Sequence, residues 1–432
     1  MRKVNNYEII SLLIFINITM YLGININIIK TTTGVNAWLT VLISNIIGFI
    51  PLILFLYIAN YKPELKLNEK INFLYKKTGF IINIFINIIL FIIGDTILYN
   101  TCNFITSQLL YRTPQIIIII ILMILVVYNT IKGINVITKV STILVAFNIL
   151  LFLTSVFSLI PHLNLDNFLP VLKDNLNILP SAIKLVSINV LPLLILLIIP
   201  KDKSSNKQKY TKNIIFGYIL SGTIAFTIVF FTYGVLGKYL VNTFGYPEYI
   251  VLKKISILNF AERIENIVSN QWLVGGYIYL VIIMYYISNT SILSKKINNK
   301  YIIILLSIWE ALTVGLVSIW FIISGIVSLI LSFFKVDFTI CFSVFVILGL
   351  ILMITTRKSL TKLLKVKSEP TNLDRIIGKK GIVTETINGS LGEVKVDGKL
   401  WSAYSNKKIE KDSYVKILEI NSTKLKVKVW EE

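Results

Sequence analysis

The sequence predicts a polytopic α-helical membrane protein that carries a small all-β barrel at its C-terminus. Three observations predict it. Long apolar runs follow one another from Tyr7 to Thr356 with only short polar breaks. Only 15% of residues are charged and the mean hydropathy is +0.77, a balance found in chains that use lipid as solvent. From Arg357 onward the text turns charged, alternating and rich in turns, as in KKGIVTETINGSLGEVKVDGKLWSAYS. That last change marks a switch of solvent from lipid to water.

The apolar runs come first. Segments at about 8–29, 37–60, 79–110, 115–131, 140–160, 183–200, 213–236 and 272–291 each approach the roughly 20 residues needed to cross a bilayer. Basic residues follow every even segment: Lys62, Lys66, Lys70, Lys76 and Lys77; Lys132 and Lys139; Lys201, Lys203, Lys207, Lys209 and Lys212; Lys295, Lys296 and Lys300. The positive-inside rule then puts the N-terminus and these loops in the cytoplasm. It also accounts for much of the net charge of +21 without a nucleic-acid partner, because the lysines form no binding stripe. The N-terminal run contains Asn17, Asn25 and Asn27 and has no small-residue cleavage site, so it reads as a retained first span.

Two outer segments are longer. Residues 161–182 are rich in Pro and Asn and cannot form one continuous helix. Residues 248–268 place Val251, Ile255, Leu258, Ala261, Ile264 and Val268 at helical spacing and predict an amphipathic helix on the outer face.

Two spans carry interruptions. Gly23 breaks the first, in MYLGININ, and Pro192 breaks the sixth, in INVLPLLILLIIP. Broken helices at corresponding places, five spans apart, are a mark of inverted-repeat transporters, whose unwound backbone binds substrate near the midplane. Gly23 and Asn25 in span one, with Ser187, Asn189 and Pro192 in span six, are therefore candidate ligand-binding residues. Tyr285 and Asn289 in span eight are candidates to line the same cavity. Asp95, in FIIGDTILYN, is an acid inside the third span, where a charge is costly and by default functional or paired. It would couple a proton or cation, or neutralise a substrate amine; stapling helices as a hydrogen-bonded carboxyl is the alternative.

Enzyme chemistry finds no support. The only histidine, His162, lies in a polar loop, and Cys102 and Cys341 stand in separate apolar segments with no metal or disulfide spacing. GxSxG, HExxH and phosphate-cradling glycine loops are absent. No cofactor is predicted.

The tail reads as five strands. Gly381 opens one, Asn388-Gly389 turns it, and Gly392 to Asp397 alternates. Asp397-Gly398 turns again into Lys399–Tyr404, and Asp412–Ile420 and Lys424–Trp430 complete the set around Asn421-Ser422. Five short strands fit an OB-like barrel. Trp401 and Tyr404 could stack single-stranded nucleic acid; a Trp buried in a tiny core is the stronger reading, and protein docking the better use.

Specific strings carry a resemblance over residues 1–300. They are GVNAWL at 34–39, Thr113-Pro114, YNTIKGINVITKVS at 128–141, NFLPVL at 167–172, IPKD at 199–202 and FGYPEYIVLKKISILNFAERIENIVSNQW at 244–272. In this order they resemble the spore germination permeases, the B subunits of nutrient germinant receptors in the amino acid/polyamine/organocation superfamily. Asn36 departs from the family's usual Gly-x-Asp-Ala-Trp. The resemblance implies a spore inner-membrane protein that senses a small nutrient such as an amino acid, with A- and C-type partner subunits. It implies no enzyme activity. An amino acid permease of the same fold is an alternative.

The family's ten spans are cut to eight near Lys300, so the second repeat is incomplete. EALTVGLVSIWFIISGIVSLILSFF at 310–334 and residues 357–406 resemble NfeD-like membrane proteins of the short, non-enzymatic kind. That resemblance implies flotillin- or stomatin-like partners, and a non-transporting scaffold is a further alternative. The predicted division is 1–300 permease-like, 301–356 membrane hairpin, 357–373 basic linker and 374–432 soluble barrel. Residues 301–333, with Glu310 near the junction, are expected as one kinked span and 338–355 as its return, giving about ten spans and a cytoplasmic tail.

Overall fold

The structure is a computed structural model. It describes residues 3–172, 177–254, 264–290 and 299–304, scattered helical positions between 324 and 355, and 378–430 apart from 389–390, 397–398, 406–407 and 422–423. The chain divides into two compact units, Met1–Ile319 and Trp320–Glu432.

Eight helical stretches among the described residues are long and apolar enough to cross a membrane. They are Asn6–Thr32, Gly34–Asn60, Thr78–Leu109, Gln115–Lys132, Ile134–His162, Ile178–Ile198, Tyr210–Thr243 and Asn270–Thr290. These are the eight predicted spans with their ends adjusted. Burial divides them: spans one, eight and six are 78%, 72% and 67% enclosed over their most apolar stretch, whereas span five is 17%. The first group forms the interior, and Phe147, Leu150, Leu153 and Phe157 of span five turn outward. In lipid this outward apolar face needs no cover.

Three elements of the first span set the site. Helix α1 (Asn6–Thr19) stops at a break, the chain passes through Tyr21–Asn25, and α2 (Ile26–Thr32) resumes. Span two is α3 (Ala37–Ile47) and α4 (Phe49–Asn60). In α5 (Leu67–Phe104) the backbone leaves helical geometry at Lys76, which separates a short membrane-flanking helical stretch from span three. Helices α6 (Gln115–Lys132) and α7 (Ile134–Leu159) are spans four and five. Span six begins as α8 (Ile178–Asn189) and ends as a 3-10 stretch, Leu191–Ile198. Helix α9 (Tyr210–Thr243) is broken at Gly237, against which Asn167 packs.

One end of the bundle is sewn together by its loops. Val4 pairs with Ser204, Asp202 donates its N–H to the Pro63 carbonyl, and Lys201 bonds Asn60. Buried Lys70 caps the carbonyls of Ile58 (2.6 Å) and Ala59 at the end of span two. Burial pushes its ammonium pKa down, and Glu64 nearby opposes that. The N-terminus thus shares an end with the basic loops after spans two and six.

The predicted outer helix over 248–268 is not one helix. A short α10 (Pro247–Leu252) ends in a turn at Lys253-Lys254, and residues 264–268 belong to α11 (Ile264–Thr290), the helix of span eight. Residues 255–263 lie outside the described residues. So do the predicted linker at 357–373, Glu310, and most of the spans expected at 301–333 and 338–355. Residues 161–172 form only short 3-10 pieces, as their Pro and Asn content predicts.

The second unit holds a closed five-stranded barrel: β1 (Lys380–Asn388), β2 (Leu391–Val396), β3 (Lys399–Tyr404), β4 (Tyr414–Asn421) and β5 (Lys424–Val429), in the order β1-β2-β3-β5-β4. Only β3 and β5 run parallel. Alternation sends Val383, Ile387, Val394, Val396, Val415, Ile417, Leu425 and Val427 inward, and Trp401 packs against that core. Closure removes the free sheet edges that so small a domain would otherwise expose.

Candidate functional site

Span one is broken by one residue's backbone. Gly23 adopts φ +82, in the left-handed region that glycine enters without penalty, and Leu22 is extended at ψ 101. A Cβ on Gly23 would lie 2.8 Å from the Tyr246 ring and 2.9 Å from the Asn100 amide. A break inside a membrane leaves backbone groups that lipid cannot satisfy, so side chains must supply partners. Asn100 donates to the Leu22 carbonyl at 2.9 Å, and Asn27 donates to the Gly23 carbonyl at 2.7 Å. The Gly23 N–H donates to Oε1 of Glu248.

Span six meets this break from the other side. Pro192 has no N–H and its ring would strike the Ile188 carbonyl of a continuing α-helix, so the chain tightens into 3-10 geometry over Leu191–Ile198. One turn before it, buried Asn189 accepts from Asn25 Nδ2 at 2.9 Å and donates to Leu185 O at 2.8 Å. One hydrogen bond therefore ties the two interruptions together. Oδ1 of Asn25 is buried and has no hydrogen-bond partner among the described residues.

Glu248 is the buried acid of the site. It stands in α10, outside the spans, and is 5% exposed. Burial pushes its carboxyl pKa up to about 8, against the pull of backbone hydrogen bonds from its own turn and from Gly23 and of the Lys30 charge. Oε2 has no hydrogen-bond partner among the described residues. A cavity of about 60 Å³ lies beside it, walled by Leu22, Phe152, Thr227, Thr232, Gln271 and Trp272. Two smaller cavities, of about 40 Å³ and 10 Å³, also have Leu22 as a wall, so small voids adjoin the residue before Gly23. Phe104, Tyr246, Tyr249 and Trp272 pack edge to face and enclose it on the side of α10.

Farther along span one a vestibule of about 430 Å³ is lined by Lys30, Thr31, Thr32, Asn36, Lys238 and Asn242. Asn36 is buried, and its Oδ1 accepts the Leu172 N–H at 2.9 Å, anchoring the outer loop.

The sequence-derived candidates therefore separate. Gly23, Asn25, Asn189 and Pro192 come together at the paired breaks. Ser187 is exposed and donates to the Ile183 carbonyl of its own helix. Asp95 is half-buried, about 7 Å along span three from Asn100 and turned well around that helix from it. Tyr285 and Asn289 lie about 20–25 Å along span eight from Trp272, at the opposite end of that helix. There Asn289 donates to Tyr285 O at 2.8 Å and accepts from Asn299 at 3.2 Å. Glu248, Asn100, Tyr246, Gln271 and Trp272 were not singled out by sequence. Pro-Glu at 247–248 reads as an ordinary helix start, where Pro suits the first turn and an acid complements the dipole.

The family model described as "Spore germination protein" matches residues 3–312, and that described as "NfeD-like C-terminal, partner-binding domain" matches residues 373–428. Spore germination protein XB of Bacillus anthracis is 25% identical over 283 residues, covering 63% of this chain and 77% of that protein. The protein YfkT of Bacillus subtilis (strain 168) is 27% identical over 210 residues, 46% of this chain and 54% of that one. With broken membrane helices in front and a closed barrel behind, the chain belongs to the spore germination protein family and ends in an NfeD-like domain.

Proposed function

We infer that the membrane unit binds a small amino-acid-like nutrient at the paired breaks of spans one and six and reports it during spore germination. The observation that carries this reading is the junction itself. Two interrupted helices are joined by the Asn25–Asn189 hydrogen bond, and Leu22, the residue before Gly23, walls small voids on the side of α10 and span eight. Unwound backbone near the midplane is the usual place for a solute in inverted-repeat membrane proteins. Gly23, Asn25, Asn189 and Pro192 form the paired breaks, and Asp95 stands apart from them on span three.

The same reading divides the chain into 1–300 as the nutrient-binding part, 301–356 as an NfeD-like membrane hairpin, 357–373 as a linker and 374–432 as a docking barrel. Its protein partners are receptor subunits of A and C type, with flotillin- or stomatin-like proteins at the barrel. The basic loops after the even spans support a cytoplasmic N-terminus.

Equilibrium binding of a labelled mixture of the common amino acids to the full chain in lipid nanodiscs tests the reading. Saturable binding to the natural chain is expected, and its absence would overturn the nutrient reading. Reconstitution into proteoliposomes separates sensing from transport: a sensor shows binding without gradient-driven uptake, and robust uptake would favour an amino acid permease.

A further inference from the structure

The cavity beside Glu248 is lined by two residues that each carry a buried polar atom with no hydrogen-bond partner among the described residues. One is Oε2 of Glu248, protonated in the empty site and a pure acceptor once an entering cation displaces that proton to solvent; the other is Nε2 of Gln271, an amide donor. Both residues line the same cavity of about 60 Å³, which has room for a group of a few heavy atoms. Glu248 is 95% enclosed at 5% exposure, and Phe152, Phe231 and Trp272 supply aromatic wall. A buried polar atom left without a partner is costly, and two of opposite character in one void form a template for a dipolar guest. The backbone of the break offers no competing anchor for a carboxylate at Gly23, because Oε1 of Glu248 already takes that N–H.

We propose that this cavity is a zwitterion subsite, in which Glu248 Oε2 receives the ammonium group of a small α-amino acid and Gln271 Nε2 its carboxylate. The proposal rests on reading the paired breaks as a nutrient site, and assigns the recognising atoms to α10 and span eight. Aromatic walls favour the ammonium further. Thr227 and Thr232 line the same cavity, and Thr232 already donates to the Ile228 carbonyl at 2.7 Å.

The test uses the full chain in nanodiscs, as the natural protein and as Glu248→Gln, Glu248→Asp and Gln271→Leu, each first checked for a monodisperse profile and a cooperative thermal transition. Binding of the labelled amino-acid mixture should weaken by about tenfold or more in Glu248→Gln and in Gln271→Leu, the loss expected for one charged hydrogen bond. Ethylammonium should compete with the mixture on the natural chain and fail to compete on any residual binding to Glu248→Gln. Unchanged binding in both Glu248→Gln and Gln271→Leu would overturn the subsite and leave the nutrient reading standing. If the natural chain binds no amino acid, the nutrient reading and the subsite fall together, whereas binding that both variants leave unchanged removes the subsite alone. Should Glu248→Gln fail to fold, Glu248→Asp and Gln271→Leu carry the same comparison.

Discussion

At the scale of residues, Glu248 is a titration switch set by burial. Its carboxyl, pushed up to about 8 in the folded chain, has an ordinary value near 4.5 when unfolded. A raised pKa means the folded state holds a proton that the unfolded state releases. The corresponding stability is complete below about 4.5 and is lost as pH rises through about 8. The thermal midpoint of the full chain in micelles should therefore fall between pH 5 and pH 8, and Glu248→Gln, which stays neutral, should flatten that slope. An identical slope in the variant would contradict this. The groups facing it are Lys30, whose charge opposes the rise, and Tyr246, whose phenol burial pushes up to about 12 and keeps neutral throughout. Gly23 offers a second residue-scale prediction. Gly23→Ala meets both a positive-φ backbone and a 2.8 Å clash with the Tyr246 ring. The backbone penalty alone is about 1–3 kcal/mol, so Gly23→Ala should lower the thermal midpoint by more than that penalty implies, and an unchanged midpoint would contradict the strained break. Gly23 was legible in the sequence because a glycine inside an apolar span is a local signal. Glu248 was not, because its burial comes from helices distant in sequence.

At the scale of elements, spans one and six act as one unit. Asn25→Ala, Asn189→Ala and the double variant should show a coupling of about 0.6–1.7 kcal/mol, the range for hydrogen bonds between membrane helices. Additive losses would mean the bond between the breaks contributes nothing. Pro192 announced its break from sequence, yet the register that brings Asn189, and not Ser187, to Asn25 depends on packing. Ser187 and Asn189 stand two residues apart, about 200° around a helix, so only one can face a given neighbour. Tyr285 and Asn289 show the complementary limit: span eight was readable, but its depth relative to the break was not. In the barrel, Lys380, Lys416 and Lys428 stand directly opposite one another across β1, β4 and β5, and like charges so placed are destabilising. Lys380 lies 3.7 Å over the Tyr414 ring, which offsets part of that repulsion. Lys416→Glu should slow amide exchange along β4 in the full chain, by about 0.2–1 kcal/mol for each favourable pair. Faster exchange would show that the Lys416 ammonium's place over the Trp430 ring, 5.9 Å from its centroid, outweighs the like-charge repulsion.

At the scale of the whole molecule, the eight spans and the five-stranded barrel were both written in plain periodicities. Apolar length announced the first, and alternation punctuated by Asn-Gly and Asp-Gly turns announced the second. The apolar spacing over 248–268 suits one surface helix. The chain instead stops α10 at Leu252 and gives residues 264–268 to span eight. Membrane burial obscures such divisions, since an apolar residue satisfies lipid and protein alike. The central claim is that the voids around the span-one break receive a nutrient, and Leu22, which lines three of them, reports on it directly. The decisive measurement is the rate at which a small thiol reagent modifies Leu22→Cys, in a chain whose Cys102 and Cys341 are serine, with and without a saturating mixture of amino acids. The account predicts that amino acids slow the modification severalfold while a mixture of sugars leaves it unchanged. A rate indifferent to amino acids would contradict it.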